Sequence, residues 1–114
     1  MNRDQASLLD ALIFSKRILT FTAGMDKSVF ADDLKTQAAV LYEISVLGEA
    51  LGRISKEFRQ AHSEIPYRKV IAMRNKLVHE YDGVNLDLVW DVVQNDISEL
   101  IELISPLVPE KPET

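Results

Sequence analysis

Arg74, Asn75, His79 and Tyr81 are the residues of this chain whose types and spacing could do chemistry. A guanidinium keeps its charge in any protein environment and offers a planar fork suited to phosphate oxygens. An imidazole, with an ordinary pKa of about 6.5, moves protons at neutral pH. Positive charge on phosphoryl oxygens, a base for a 2′-hydroxyl and a proton donor for the leaving oxygen would together cleave an RNA backbone without a metal. Arg74 and His79 supply those groups, and Asn75 would orient the substrate or the ring. The same side chains also suit a purely structural hydrogen-bonded cluster, which is the reading that residue types alone favour.

The stretch that would carry them runs from Pro66 to Tyr81 and reads as a helix. Proline suits a first turn, where its missing N–H costs nothing. Tyr67, Val70, Ile71, Leu77, Val78 and Tyr81 recur at three- and four-residue steps and predict an inward-facing stripe. Arg74 stands in the middle of it, and a permanent charge breaking an apolar pattern marks a place where function is expected. A snorkelling side chain or a structural ion pair would also put an arginine there. In an ideal helix Asn75 and His79 lie about 40° apart, whereas Arg74 and His79 differ by roughly 140°. Both reach one phosphate more readily where two copies of the helix meet, so the spacing favours a homodimer.

Arg74-Asn75, three residues, His79, one residue and Tyr81 resemble the Arg-x4-His-x-Tyr motif of HepT-like toxins in the HEPN superfamily. The likeness extends over nearly the whole chain, through Gly48-Glu49-Ala50, through Ile65-Pro66 followed by an aromatic, and through Val89-Trp90. Tyr67 departs from it, standing where relatives more often carry tryptophan, a change that bears on packing. The resemblance implies an all-α protein, an antiparallel four-helix bundle assembled as a homodimer. It implies a metal-independent endoribonuclease toxin of a type VII-like toxin–antitoxin module, with paired Arg74 and His79 lining a cleft between protomers. It implies a partner as well, a minimal nucleotidyltransferase antitoxin that adenylylates Tyr81. Phosphate there would set negative charge beside Arg74 and His79, in the place of the substrate phosphate. Read by itself, Tyr81 is equally a packing residue with its hydroxyl at the rim.

Length and composition set the bounds. A chain of 114 residues suits one domain, expected over residues 1–107 with a flexible tail at 108–114. No apolar run nears the ~20 residues that span a bilayer, and Met1-Asn2-Arg3-Asp4-Gln5 lacks the basic flank of a signal segment. Without cysteine there is no disulfide framework or thiolate metal site, and His62 and His79 are too few for a zinc centre unless carboxylates assist. The expectation is a cytoplasmic protein that uses no metal and no cofactor. A net charge of −5 counts against a general nucleic-acid binder. The charge is uneven, however: residues 66–81 hold four basic residues and one acid, whereas residues 82–114 hold eight acids and one lysine. A small cationic site in an acidic protein suits brief contact with phosphate.

Four helices follow from the periodicity. The first covers residues 4–22 and ends at Gly24, with Asp26 or Ser28 able to cap the next. The second runs over residues 29–59 with Val40, Leu41, Ile44, Leu47, Leu51, Ile54 and Phe58 as its seam. Gly48 and Gly52, one turn apart, predict close approach of another helix, within the chain or across a dimer. Glu49 between them is either an ordinary surface acid, the plainer reading, or a counter-ion for Arg74. Residues 60–65 read as a polar link with an exposed His62. Gly83 breaks the pattern after the motif, and a last helix over residues 86–107 ends at Pro106, Pro109 and Pro112. Arg68 and Lys76 are candidate RNA contacts beside the site. A different class of function fits the same residues: a catalytically silent helical dimer serving as binding subunit or substrate of a nucleotidyltransferase. The acidic balance and the lack of an extended basic groove in the sequence favour it.

Overall fold

Side-chain caps decide where the helices begin. Asn2 opens α1 (Arg3–Thr22) reciprocally: its Oδ1 accepts from Gln5 N at 2.8 Å while its own N–H donates to Gln5 Oε1 at 3.1 Å. The chain then turns at Gly24, whose φ of 77° is left-handed geometry that glycine adopts without strain. Asp26 caps α2 (Lys27–Ala31) through Val29 N, and Asp33 caps α3 (Leu34–Gly52) through Thr36 N. Ser55 caps α4 (Lys56–Ala61) through Phe58 N, and α5 follows at Tyr67–His79. Asn85 starts α6 (Leu86–Asp91), which passes through a π-helical turn at Val92–Asp96 into α7 (Ile97–Ile104) and a 3-10 turn at Ser105–Leu107. The structure, a computed structural model, describes residues 2–79 and 83–109, and among these it is all-helical with no strand.

The single helix expected over residues 29–59 is three helices. At Asp33 the backbone leaves helical geometry (φ −111°, ψ 89°), and Gln37 Nε2 donates to the Phe30 and Ala31 carbonyls at the end of α2, each at 2.9 Å. At the second break Asp4 reaches over from α1: its carboxylate accepts from Ser55 N at 2.8 Å and from Ser55 Oγ at 2.6 Å. Those two bonds hold the Asp4 carboxyl below its ordinary pKa, the side-chain bond contributing most. Arg59 closes the other side of the break. Its Nε donates to Ile54 O, and its Nη2 donates to Leu51 O and Gly52 O, at 3.0–3.1 Å.

α1 packs on α3, α3 on α5 and α1 on α7, while α2 lies against α3 and α6. The shared core includes Leu8, Ile18, Val40, Ile44, Leu47, Leu51, Val70, Val93, Ile97, Leu100 and Ile104. Each such side chain contributes about 1.5–3 kcal/mol by leaving water. α5 gives the core Tyr67, Val70 and Leu77, whereas Ile71 is half-buried and Val78 is 45% exposed. Ile13 and Phe21 of α1 each stay 38% exposed, so the wide apolar arc of α1 is only partly covered. His62 is not exposed as expected: it follows α4 half-buried, its ring 4.4 Å from that of Phe58.

Candidate active site

Gly48 lets α5 lie against α3 at the point where Arg74 leaves its helix. A Cβ at position 48 would stand 2.4 Å from Arg74 Cβ and 2.7 Å from Arg74 Cγ, so the stem of the arginine occupies the space a side chain would need. A Cβ at position 52 would meet nothing within 4 Å, so among the described residues Gly48, not Gly52, makes room for a neighbouring helix. Arg74 therefore does not enter the apolar core that its stripe suggests. Its stem crosses the bare backbone of α3 and its head emerges at the α3–α5 seam, the side chain 29% exposed.

There Arg74 Nη2 donates to Glu49 Oε1 at 2.9 Å, and Nη1 donates to Asn75 Oδ1 at 3.2 Å. Glu49 is the counter-ion, then, and not the plain surface acid that the sequence favours. Arg74 Nε is buried with no hydrogen-bond partner among the described residues. Arg74, Asn75 and Glu49 share an open depression of about 370 Å³ with Gly48, Gly52, Arg53 and Ile71. An anion entering it would meet a guanidinium already aimed by Glu49 and would compete with that carboxylate for the fork.

The other predicted residues fall elsewhere. His79 lies at the end of the described part of α5, exposed, and does not line the depression. Arg68 is exposed in the first turn of α5 and faces a separate groove, while Lys76, also exposed, borders a small cleft with Val84 and Leu88. Tyr81 lies outside the described residues, as do Glu80 and Asp82. No group of three or more His, Cys, Asp or Glu side chains among the described residues is placed to hold a metal ion. No helix among them is long and apolar enough to cross a membrane.

The ties that hold α5 in place were not read from the sequence. Lys69 Nζ sits 2.6 Å from Asp96 Oδ1, where the π-helical turn meets α7, and this bond raises the lysine pKa. Asp96 stands three residues after Val93 and four before Leu100, on the apolar side of its helix, which is the signal available for it. Tyr67 is buried, its hydroxyl donating to His62 O at 3.1 Å, with Arg59 over its ring at 5.4 Å. Burial first, and then the charge of Glu64, push its phenol up to about 12.

The family model described as ribonuclease HepT-like matches residues 12–107. The chain belongs to the HepT-like family. A Methanocaldococcus jannaschii protein named "Putative RNase MJ0127" is 36% identical over 110 residues, covering 93% of this chain and 91% of its own length. "Probable ribonuclease HepT" of Thermococcus cleftensis is 42% identical over 80 residues, 70% of this chain and 73% of that protein. No solved structure matches the chain. Membership of the HepT-like family and the names of these relatives support ribonuclease activity.

Proposed function

We propose that this HepT-like chain is a metal-independent endoribonuclease, the toxin of a type VII-like toxin–antitoxin module, working in the cytoplasm as a homodimer of antiparallel four-helix bundles. What supports this reading above all is the guanidinium of Arg74, fixed by Glu49 beside Asn75 at the mouth of an open depression. His79 lies on the same helix, about 7.5 Å further along its axis. A second copy facing this seam would bring its own His79 toward Arg74, which a single straight helix does not do.

In that cleft Arg74 would take the non-bridging phosphoryl oxygens and stabilise the charge that grows on them. The 2′-oxygen attacks phosphorus and loses its proton to one His79, while the 5′-oxygen departs with a proton from the other, so that protons balance. Asn75 orients the phosphate or the ring. A partner nucleotidyltransferase would silence the site by transferring AMP from ATP to the Tyr81 hydroxyl with release of pyrophosphate. The attached phosphate then competes for Arg74.

The Arg74–Glu49 pair also favours a second reading, in which the charge is already satisfied and the chain is a silent dimer that a nucleotidyltransferase binds or modifies. Purified protein incubated with RNA in EDTA separates the two. Cleavage should persist in chelator and fall by about a hundredfold or more in Arg74→Ala and in His79→Ala. Cleavage abolished by EDTA would end the metal-independent mechanism. Wild type and His79→Ala equally inert, with Tyr81 still accepting nucleotide from the partner, would establish the silent dimer.

A further inference from the structure

The geometry points to a second, cationic subsite in the groove between α4 and the start of α5, which binds the RNA backbone at phosphates away from the one cleaved. This inference rests on the ribonuclease reading and adds to it the path of the strand. The groove has a volume of about 560 Å³, and Lys56, Arg59, Arg68 and Lys69 line it without a carboxylate among them. The groove is locally cationic in a chain of net charge −5, and a local excess of positive charge attracts anionic ligands.

The four cations are not equivalent. Lys69 is already neutralised by Asp96 at 2.6 Å. Arg59 is held by three carbonyl oxygens at the end of α3 and pairs with no carboxylate among the described residues, so it is a fixed charge at the groove wall. Lys56 and Arg68 are exposed and without an ion pair among the described residues, free to follow a ligand. Glu57 and Glu64, the acids nearest in sequence, do not line the groove, and Glu64 faces His62 Nδ1 at 3.5 Å.

Arg68, Ala72, Asn75 and His79 stand four, seven and eleven residues apart on α5, one stripe of the helix surface, with Arg68, Asn75 and His79 exposed. The stripe runs about 16 Å from the groove past Asn75 to His79. Ala72 leaves the middle of it flat, so that a polymer backbone can lie close. A peptide would draw on exposed apolar anchors. Here Ile65 is 2% exposed and Tyr67 6%, which leaves charge and polar groups to make the interactions, as a phosphodiester chain requires.

The test uses the full chain and a fluorescein-labelled oligouridine with 2′-O-methyl riboses, which binds but has no nucleophile and stays intact. Affinity is followed by anisotropy against salt for wild type and for Lys56→Gln/Arg68→Gln. The log–log salt slope should become shallower by roughly 1.4, about 0.7 for each single-strand phosphate that the variant no longer neutralises. Lys56→Arg/Arg68→Lys keeps the charges and should keep the slope, which separates charge from any local disturbance of the fold. An unchanged slope in the Gln pair, or no binding by wild type, overturns the subsite even if the protein cleaves ordinary oligouridine. A shallower slope in a protein that cleaves nothing leaves the subsite standing and removes the nuclease reading. Retention of poly-glutamate that disappears in the Gln pair while the RNA slope holds would assign the groove to an acidic polypeptide and overturn the proposal.

Discussion

Arg74 Nη2 lies 2.9 Å from Glu49 Oε1, and this bond joins α5 to α3 at the edge of the candidate site. Both side chains are partly exposed, so the pair adds at most about 1 kcal/mol to stability. Its larger effect is on binding, since the carboxylate occupies the fork that a phosphate would use. Glu49→Gln should therefore shift the unfolding free energy by no more than about 1 kcal/mol. At the same time it should lower KM for RNA. Urea unfolding and steady-state cleavage check the two halves separately, and a KM that rises would mean that Glu49 contributes by aiming Arg74, not by competing.

Gly48 and Gly52 look alike in sequence and should respond oppositely to alanine. A methyl at position 48 would meet Arg74 Cβ and Cγ at 2.4 and 2.7 Å, so α5 must move outward or Arg74 must swing away. Gly48→Ala should cost about 1–3 kcal/mol, as overpacking does. It should lower activity as well. Gly52→Ala meets nothing within 4 Å and removes a flexible residue from the unfolded chain, so it should be neutral or stabilise by up to about 1 kcal/mol. Thermal melts of the two variants decide it; equal losses would show that the backbone at Gly52 is also pressed by a neighbour, such as a second copy.

What the sequence let through and what it withheld divides along one line. Contacts within a helix were legible: the extent of α1, the left-handed Gly24, the cap at Asp26, the motif helix and the apolar faces of α3 and α7. Bonds between distant segments were not. The break before α4 depends on Asp4 bonding Ser55 from 51 residues upstream, and Ile54 keeps the apolar rhythm going straight through it. Arg74 was legible as the odd residue in an apolar stripe, but not its exit over Gly48, which only the helix crossing creates. The basic groove was invisible for the same reason, because Lys56 and Arg59 belong to a helix the periodicity had merged with its neighbour.

Lys69 and Asp96 make the next prediction. Asp96 is 8% exposed and its Oδ2 is buried without a partner among the described residues, so Lys69 is the one cation bonded to a carboxylate poorly placed to recover in water. Lys69→Met should cost about 1–3 kcal/mol, the penalty of a buried polar group left unpaired. Adding Asp96→Leu should return much of that, because replacing both partners of a buried pair is often near neutral. A double-mutant cycle by chemical denaturation measures the coupling, and additive losses would show that the pair contributes nothing as a pair.

Tyr67 should make the fold sensitive to alkali. Its phenol is pushed up to about 12 in the folded chain against an ordinary value of 10.0. A group whose folded pKa is raised contributes stability that is complete below the unfolded value and is lost as pH rises through the folded one. Above about pH 10 the unfolded chain gives up the proton while the folded chain keeps it, so stability declines with pH by at most about 1.4 kcal/mol per unit for this one group. Lys69, also raised, adds loss of the same sign at the high end of that window. Tyr67→Phe keeps the ring beneath Arg59 but gives up the bond to His62 O, at a cost of about 1 kcal/mol near pH 8. Its stability curve should be flatter than the wild-type curve between pH 10 and 12, with the residual slope belonging to Lys69. Urea unfolding at half-unit intervals resolves this; parallel curves for the two proteins would mean that the Tyr67 hydroxyl ionises as freely in the folded chain as in the unfolded one.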